Sequence, residues 1–267
     1  DSRARALVLS EQLLPQFAPL IGRMPFLKHV IVSGGGVSGH PTLRDVLAKG
    51  SPELSPAPTT SDDPCFWLYS SGSTGMPKAA VHVHSSMVVT AELYGKGVLG
   101  VNESDVLFSA AKLAFAYGLG NAQTFTLALG ATAVLMAERP TPASVFKRFV
   151  ERKPTIFFAV PTLYGAMLAS PELTKKRSLG LRLCVSAGEA LPADIGERWK
   201  ERMGVDIVEG IGSSEMLHMF MGNRPDDVRY GATGKPVPGY ELRLVDEQGN
   251  PAKRGEIGEL HVSGPTS

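Results

Sequence analysis

Cysteine is scarce: the 267 residues include only Cys65 and Cys184, which lie far apart and have no metal-ligand spacing around them. Neither a disulfide framework nor a zinc site can organise this chain, and a reduced, cytoplasmic setting is expected. Charge of one sign is also missing, since 27 Lys and Arg face 26 Asp and Glu for a formal net charge of +1. Nothing electrostatic therefore calls for nucleic acid or an anionic membrane as partner. No run reaches the roughly 18 apolar residues of a membrane span, and the opening DSRARALVLS lacks the apolar core of a signal peptide. A small-molecule partner is expected. Apolar residues, by contrast, make up 43% of the chain, enough for a sizeable core in one large domain or two small ones.

The apolar residues are patterned. RALVLS (5–10) and LKHVIVSGG (27–35) read as short buried strands around a proline-interrupted helix, EQLLPQFAPLIGRM, and a short helix TLRDVLAKG follows. Residues 51–64, SPELSPAPTTSDDP, have the Pro, Ser, Thr and Asp content of a surface linker. Between Pro142 and Pro238 strands and helices alternate: TPASVFKRFVERKP (helix, Thr141 as N-cap), TIFFAV (strand), TLYGAMLAS (helix), LRLCVSAG (strand), LPADIGERWKERMG (helix closed by Gly204) and VDIVEGIG (strand). That alternation predicts an α/β fold of mostly parallel sheets covered by helices. YELRLV and GEIGELHV then predict a small antiparallel β region at the C-terminus, so the expected division is 1–228 and 229–267.

Residues 69–78, YSSGSTGMPK, raise the question of phosphate. A Walker A loop would need Gly-Lys followed by a hydroxyl where this chain has Pro77, Lys78 and Ala79. Pro77 has no amide hydrogen to offer and Ala79 no hydroxyl, so an ordinary P-loop ATPase is not expected. The stretch is instead flanked by CFWLYS and AAVHVH, both strand-like. A loop joining two strands, with Gly72 and Gly75 freeing the backbone, hydroxyls on Ser70, Ser71, Ser73 and Thr74 and a charge on Lys78, suits a polyphosphate. Read alone, the same residues also suit a solvated hairpin loop.

The order of Tyr, a Ser/Thr/Gly run, Pro and Lys resembles the signature loop of adenylate-forming enzymes, the superfamily of acyl-CoA ligases, luciferases and adenylation domains. VSAGEAL (185–191) resembles that family's segment beside the adenine, and VEGIGSSE (208–215) resembles its nucleotide and magnesium motif. Both follow predicted strands, where ligands collect in open parallel sheets. The resemblance implies ATP or AMP contacts from Ser70–Gly75, Lys78, Ser186, Ala187, Gly188, Glu189, Glu209, Gly210, Ile211, Gly212, Ser213 and Ser214. It implies catalytic roles for Lys78, Ser214 and Glu215, with Glu215 as the Mg²⁺ ligand. Ile211 stands where many members carry an adenine-stacking tyrosine, so apolar packing has to replace stacking. On the residues alone, Glu215 also suits a helix-entry carboxylate.

KLAFAYGLGN (112–121), SSEMLHMF (213–220) and RYGATGKPVPGY (229–240) look most like the benzoate-CoA ligase and 4-hydroxybenzoate branch of the family. An acyl pocket is accordingly expected from Phe115, Ala116, Tyr117, Gly118, Gly120, Gly188, Gly212 and His218. His218 either meets the bound acid or sits in a half-buried helix MLHMF. His82 and His84 share a strand face and Glu215 and His218 form an E-x-x-H pair, but neither set has the further ligands a metal centre needs.

The implied activity is ATP-dependent conversion of an aromatic acid to an acyl adenylate and then an acyl-CoA, with ATP, Mg²⁺ and coenzyme A required; a homodimer is compatible with it. The resemblance also implies that a ribose-binding aspartate and a C-terminal lid domain lie outside this chain, making it a poor catalyst alone. Two alternatives stay open. Gly34, Gly36 and Gly39 satisfy G-x-G-x-x-G, as in a dinucleotide-dependent oxidoreductase, and the fold could serve as a non-catalytic nucleotide-binding module.

Overall fold

The computed structural model describes residues 2–35, 39–71, 75–173 and 180–266. The chain divides into two units, Asp1–Thr59 and Thr60–Ser267. In the first, strands β1 (Ala6–Ser10) and β2 (His29–Ser33) pair in parallel, with α1 (Leu14–Ile21) in the connection between them. Helix α2 (Leu43–Lys49) is capped by Thr42, whose hydroxyl accepts the Asp45 amide at 3.0 Å.

The second unit opens with an antiparallel hairpin of β3 (Pro64–Ser70) and β4 (Lys78–Val83), in which Ser70 stands opposite Lys78. The stretch from Tyr69 to Lys78 therefore joins two strands, as its flanks predict. Strands β5 (Val106–Ser109), β6 (Thr132–Val134), β7 (Ile156–Ala159), β8 (Leu183–Ser186), β9 (Ile207–Gly212), β10 (Met219–Gly222) and β11 (Lys235–Pro236) form one sheet in the order β11-β10-β9-β8-β7-β5-β6. The ladder from β9 to β6 is parallel, while β10 and β11 add antiparallel pairs. Strands β12 (Glu241–Val245) and β13 (Glu259–Ser263) make a separate antiparallel hairpin, the small C-terminal β region expected from the sequence.

The central strands are mostly apolar because both faces are covered. Leu107, Ile156, Phe158, Leu183, Val185 and Val208 pack with Ala91, Tyr94 and Phe125 on one side. That layer contains α3 (His84–Thr90), α4 (Ala116–Leu119) and α5 (Phe125–Leu129), with π-helical turns at Ala91–Lys96 and Gly120–Thr124. The alternate residues Phe108, Phe157, Ala159, Cys184 and Ile207 meet Phe149, Tyr164 and Trp199 on the other side, beneath α6 (Pro142–Arg152), α7 (Pro161–Ala169) and α8 (Ala193–Met203). The period of two along each strand thus sorts the core into two layers.

Helix α6 starts where the sequence indicates. Thr141 and Ser144 form a capping box, Pro142 is the first helical residue, and Gly204 closes α8 at φ 70°. One of the two alternatives for His218 fails: MLHMF is not a helix. A turn ends at Leu217, which adopts φ 65°, and Met219 begins β10. With no helix there, Glu215 is not a helix-entry carboxylate.

Phe157 is fully buried, with Phe149 edge-on at 4.8 Å and Tyr164 at 5.6 Å. Phe157→Ala is expected to destabilise the fold by about 3–5 kcal/mol, and loss of the Thr141 cap in Thr141→Ala by about 1 kcal/mol. Urea unfolding of the two variants checks both size and order.

Candidate active site

The connections around the sheet change side at β5. The chain crosses from β5 to β6 over one face and returns through α6, α7 and α8 on the other, so β6 and β7 flank β5 on opposite sides. A crevice is expected beyond the carboxyl ends of strands at such a point. A cavity of about 520 Å³ opens there. Its floor is the first residues after four strands: Ala110 and Ala111 after β5, Val160 after β7, Ala187 and Gly188 after β8, and Gly212 to Ser214 at the end of β9. Lys112, Phe115, Ala116, Tyr117, Pro140, His218 and Met219 supply the walls. This size is suited to a small organic ligand. Gly188 turns the chain at φ 91°, a left-handed conformation that side chains rarely adopt.

Tyr117 donates its hydroxyl to the Val185 carbonyl at 3.0 Å and lies near the Ala159 carbonyl at 3.4 Å. Burial pushes its pKa well above the ordinary value, so it stays a neutral donor. His218 is 3% exposed, between the rings of Phe125 (4.7 Å), Tyr94 (5.3 Å) and Tyr117 (5.9 Å), with Nε2 3.1 Å from Asn121 Oδ1. Burial drives its pKa down to about 3, leaving a neutral imidazole on the cavity wall. Lys112 donates to three carbonyls, Met136 at 2.6 Å, Ala137 at 2.8 Å and Glu138 at 2.7 Å. Its ammonium group fastens one wall of the cavity and is fully engaged. Cys184 lies beneath the site with its thiol pushed up to about 12 by burial, which rules it out as a thiolate nucleophile.

The family model for AMP-binding enzymes matches residues 1–267. The chain belongs to this family. It is 59% identical to the benzoate-CoA ligase of Thauera aromatica over all of its own length and 50% of that protein. It is 50% identical, over the same shares, to the 4-hydroxybenzoate-CoA/benzoate-CoA ligase of Rhodopseudomonas palustris. Among solved structures, a benzoate CoA ligase from Burkholderia xenovorans LB400 superposes with TM-score 0.92 at 48% identity, covering 99% of this chain and 52% of that one. An anthranilate CoA ligase in complex with anthranoyl-AMP gives TM-score 0.95 at 41% identity over the same shares. The chain spans about half the length of these relatives.

In this AMP-binding fold the expected acyl-pocket residues Phe115, Ala116, Tyr117, Gly188, Gly212 and His218 all line the cavity. Gly118 and Gly120 do not. A Cβ on Gly118 would overlap the Lys112 carbonyl, and one on Gly120 would overlap the His218 ring, so these glycines make room for the wall. Of the expected nucleotide residues, Ala187, Gly188, Gly212, Ser213 and Ser214 line the cavity, and Ile211 stands at its edge of the sheet, 40% exposed. Ser186 is fully buried, and Glu189 is exposed. Glu209 is buried and accepts the Leu191 amide at 2.7 Å, so its carboxylate ties the 187–191 segment to β9; burial raises its pKa. A Cβ on Gly210 would meet Met219 Sδ at 2.5 Å, so this glycine serves the pairing with β10. Ser70, Ser71, Gly75 and Lys78 belong to the β3–β4 hairpin, while Gly72, Ser73 and Thr74 lie outside the described residues.

Glu215 is exposed and makes no ion pair or hydrogen bond among the described residues, where no group of three or more His, Cys, Asp or Glu gathers for a metal. One free carboxylate nevertheless fits Mg²⁺, which takes one or two carboxylates and fills its shell with water and substrate phosphate. The oxidoreductase alternative loses its footing. The Gly35 amide donates at 2.7 Å to Glu11 Oε2, a carboxylate where a pyrophosphate would have to sit, and Gly36 lies outside the described residues. Sequence reasoning passed over Lys112, Asn121 and the bond of His82 Nε2 to the Ser214 carbonyl at 2.7 Å.

With a folded pKa near 3 against an ordinary 6.5, His218 refuses a proton that the unfolded chain accepts across that window. Its contribution makes stability fall on acidification below about pH 6.5, by up to about 1.4 kcal/mol per pH unit. Urea unfolding at pH 7 and pH 5 measures this loss, and His218→Phe is expected to lose less than the parent protein.

Proposed function

We propose that this chain forms the acid- and nucleotide-binding part of an AMP-forming ligase that activates benzoate or a close aromatic relative and passes it to coenzyme A. The observation that carries the reading is the apolar cavity at the carboxyl ends of β5, β7, β8 and β9, bounded by Tyr117 and the neutral His218. The names of relatives 59% and 50% identical to it support the same reading.

In the proposed reaction the aromatic ring packs between the Tyr117 wall and the small residues Ala187, Gly188 and Gly212. The Lys112 side chain, which also lines the cavity, is turned onto the Met136, Ala137 and Glu138 carbonyls and so leaves the ring to apolar contacts. The carboxylate points toward Gly212–Ser214, where an oxygen attacks the α-phosphorus of ATP and the bond to pyrophosphate breaks. The adenine packs on Ile211 in place of a stacked tyrosine. Ser214 and the hydroxyl-rich 70–75 loop donate to phosphate oxygens, and Lys78 neutralises the departing pyrophosphate. Glu215 would hold Mg²⁺, which supplies charge neutralisation of the phosphates when bound. The thiol sulfur of coenzyme A then attacks the acyl carbonyl and AMP leaves. No protein nucleophile takes part, in keeping with the unreactive Cys184.

Exchange of labelled pyrophosphate into ATP, measured with the protein that carries this chain, tests the reading. Benzoate is expected to drive exchange, and acetate, which forgoes roughly 1.5–3 kcal/mol of ring burial, to need about 10- to 100-fold higher concentration. Equal efficiency with both acids contradicts the pocket assignment.

A further inference from the structure

We infer that His82 is a positioning residue, locking the turn that carries Ser214 and Glu215 onto the strand that begins at Lys78. The inference rests on the functional reading above, in which those three side chains serve one nucleotide.

His82 is 1% exposed on β4 and packs against Phe66 with ring centroids 5.4 Å apart. Its Nε2 lies 2.7 Å from the Ser214 carbonyl oxygen, 132 residues away in sequence. A carbonyl can only accept, so the bond fixes the Nε2–H tautomer and leaves the buried Nδ1 without a partner among the described residues. The same carbonyl also accepts the Leu217 amide at 3.3 Å, which uses both of its acceptor directions.

This turn needs outside support. Leu217 holds φ 65°, the left-handed region that a branched side chain rarely enters, and such conformations persist where the surroundings over-determine them. Two groups brace it: His82 at the Ser214 carbonyl, and the Thr266 hydroxyl, which donates to the Met216 carbonyl at 2.9 Å and is itself 2.7 Å from the Tyr240 hydroxyl. Between these braces Glu215 is exposed and without a partner among the described residues. The turn is therefore pinned through its backbone, leaving the carboxylate free for a ligand.

His82 and Lys78 are four residues apart on one strand and share a face, separated by about 13 Å along it. One imidazole thus joins the hairpin bearing Ser70 and Lys78 to the turn bearing Ser214 and Glu215. A side chain that only filled core volume could be replaced by leucine without moving either. A positioning donor cannot.

The test compares His82→Leu, which removes the donor, with His82→Gln, whose amide can reach the same carbonyl. Amide hydrogen exchange over residues 213–217 is expected to speed up about tenfold in the leucine variant and to recover in the glutamine variant. In benzoate-dependent pyrophosphate exchange, the Mg·ATP concentration at half-maximal rate is expected to rise about tenfold in His82→Leu, with the benzoate dependence moved less than about twofold. Unchanged hydrogen exchange in 213–217, or equal shifts for Mg·ATP and benzoate, overturns the inference. Should His82→Leu fail to fold, His82→Asn, whose shorter amide falls short of the carbonyl, takes its place against His82→Gln. If the unmodified protein shows no benzoate-dependent exchange, the functional reading fails, and hydrogen exchange alone decides whether His82 holds the turn.

Discussion

Strands β5, β7, β8 and β9 run in one direction, and a parallel ladder has to release all of its carboxyl ends along the same edge. Burial on both faces forces the ladder to be apolar and forces the connecting helices to lie flat against it. The edge is the one place where backbone can leave the sheet without covering itself. Residues that follow the four strands consequently meet there, and small ones, Ala110, Ala187, Gly188 and Gly212, keep the meeting point open as a cavity. Tyr117 is tied to that edge through the Val185 carbonyl, which Tyr164 reaches as well at 3.0 Å from the opposite core layer. The position of the cavity wall is thus coupled to both layers of the core.

Electrostatics at the site follow from the same burial. His218 is neutral because burial among three aromatic rings disfavours its charged form, and the Lys112 side chain is held by three backbone carbonyls. The cavity also reaches Ser213 and Ser214, which directly precede the exposed Glu215. An apolar pocket beside hydroxyl groups suits the aromatic carboxylate proposed above.

Much of this was legible in the sequence, for identifiable reasons. The runs IFFA and LCVS announce strands buried on both faces, Thr141-Pro142 announces a helix start, and Gly204 a helix end. Phe115, Tyr117, Gly188, Gly212 and His218 were expected at one pocket from the family resemblance of their motifs, and they line one cavity. What escaped was carried by tertiary contacts without local signature. The helical alternative for MLHMF stayed open because a leucine, not a glycine, takes the left-handed position at residue 217, so no punctuation marks the turn before β10. The Lys112 clasp joins groups 24 to 26 residues apart, and the His82 bond spans 132. Gly118 and Gly120 read as pocket space, whereas their missing Cβ atoms accommodate a carbonyl and an imidazole.

A crystal structure of the protein with benzoate and ATP, or with the benzoyl adenylate, tests the central claim most directly. The account predicts electron density for the ring between Tyr117, Gly188 and Gly212, with the carboxyl-derived carbon directed toward Ser214. A ring bound outside that cavity, or one whose carboxyl group faces Asn121 and the interior, would contradict it.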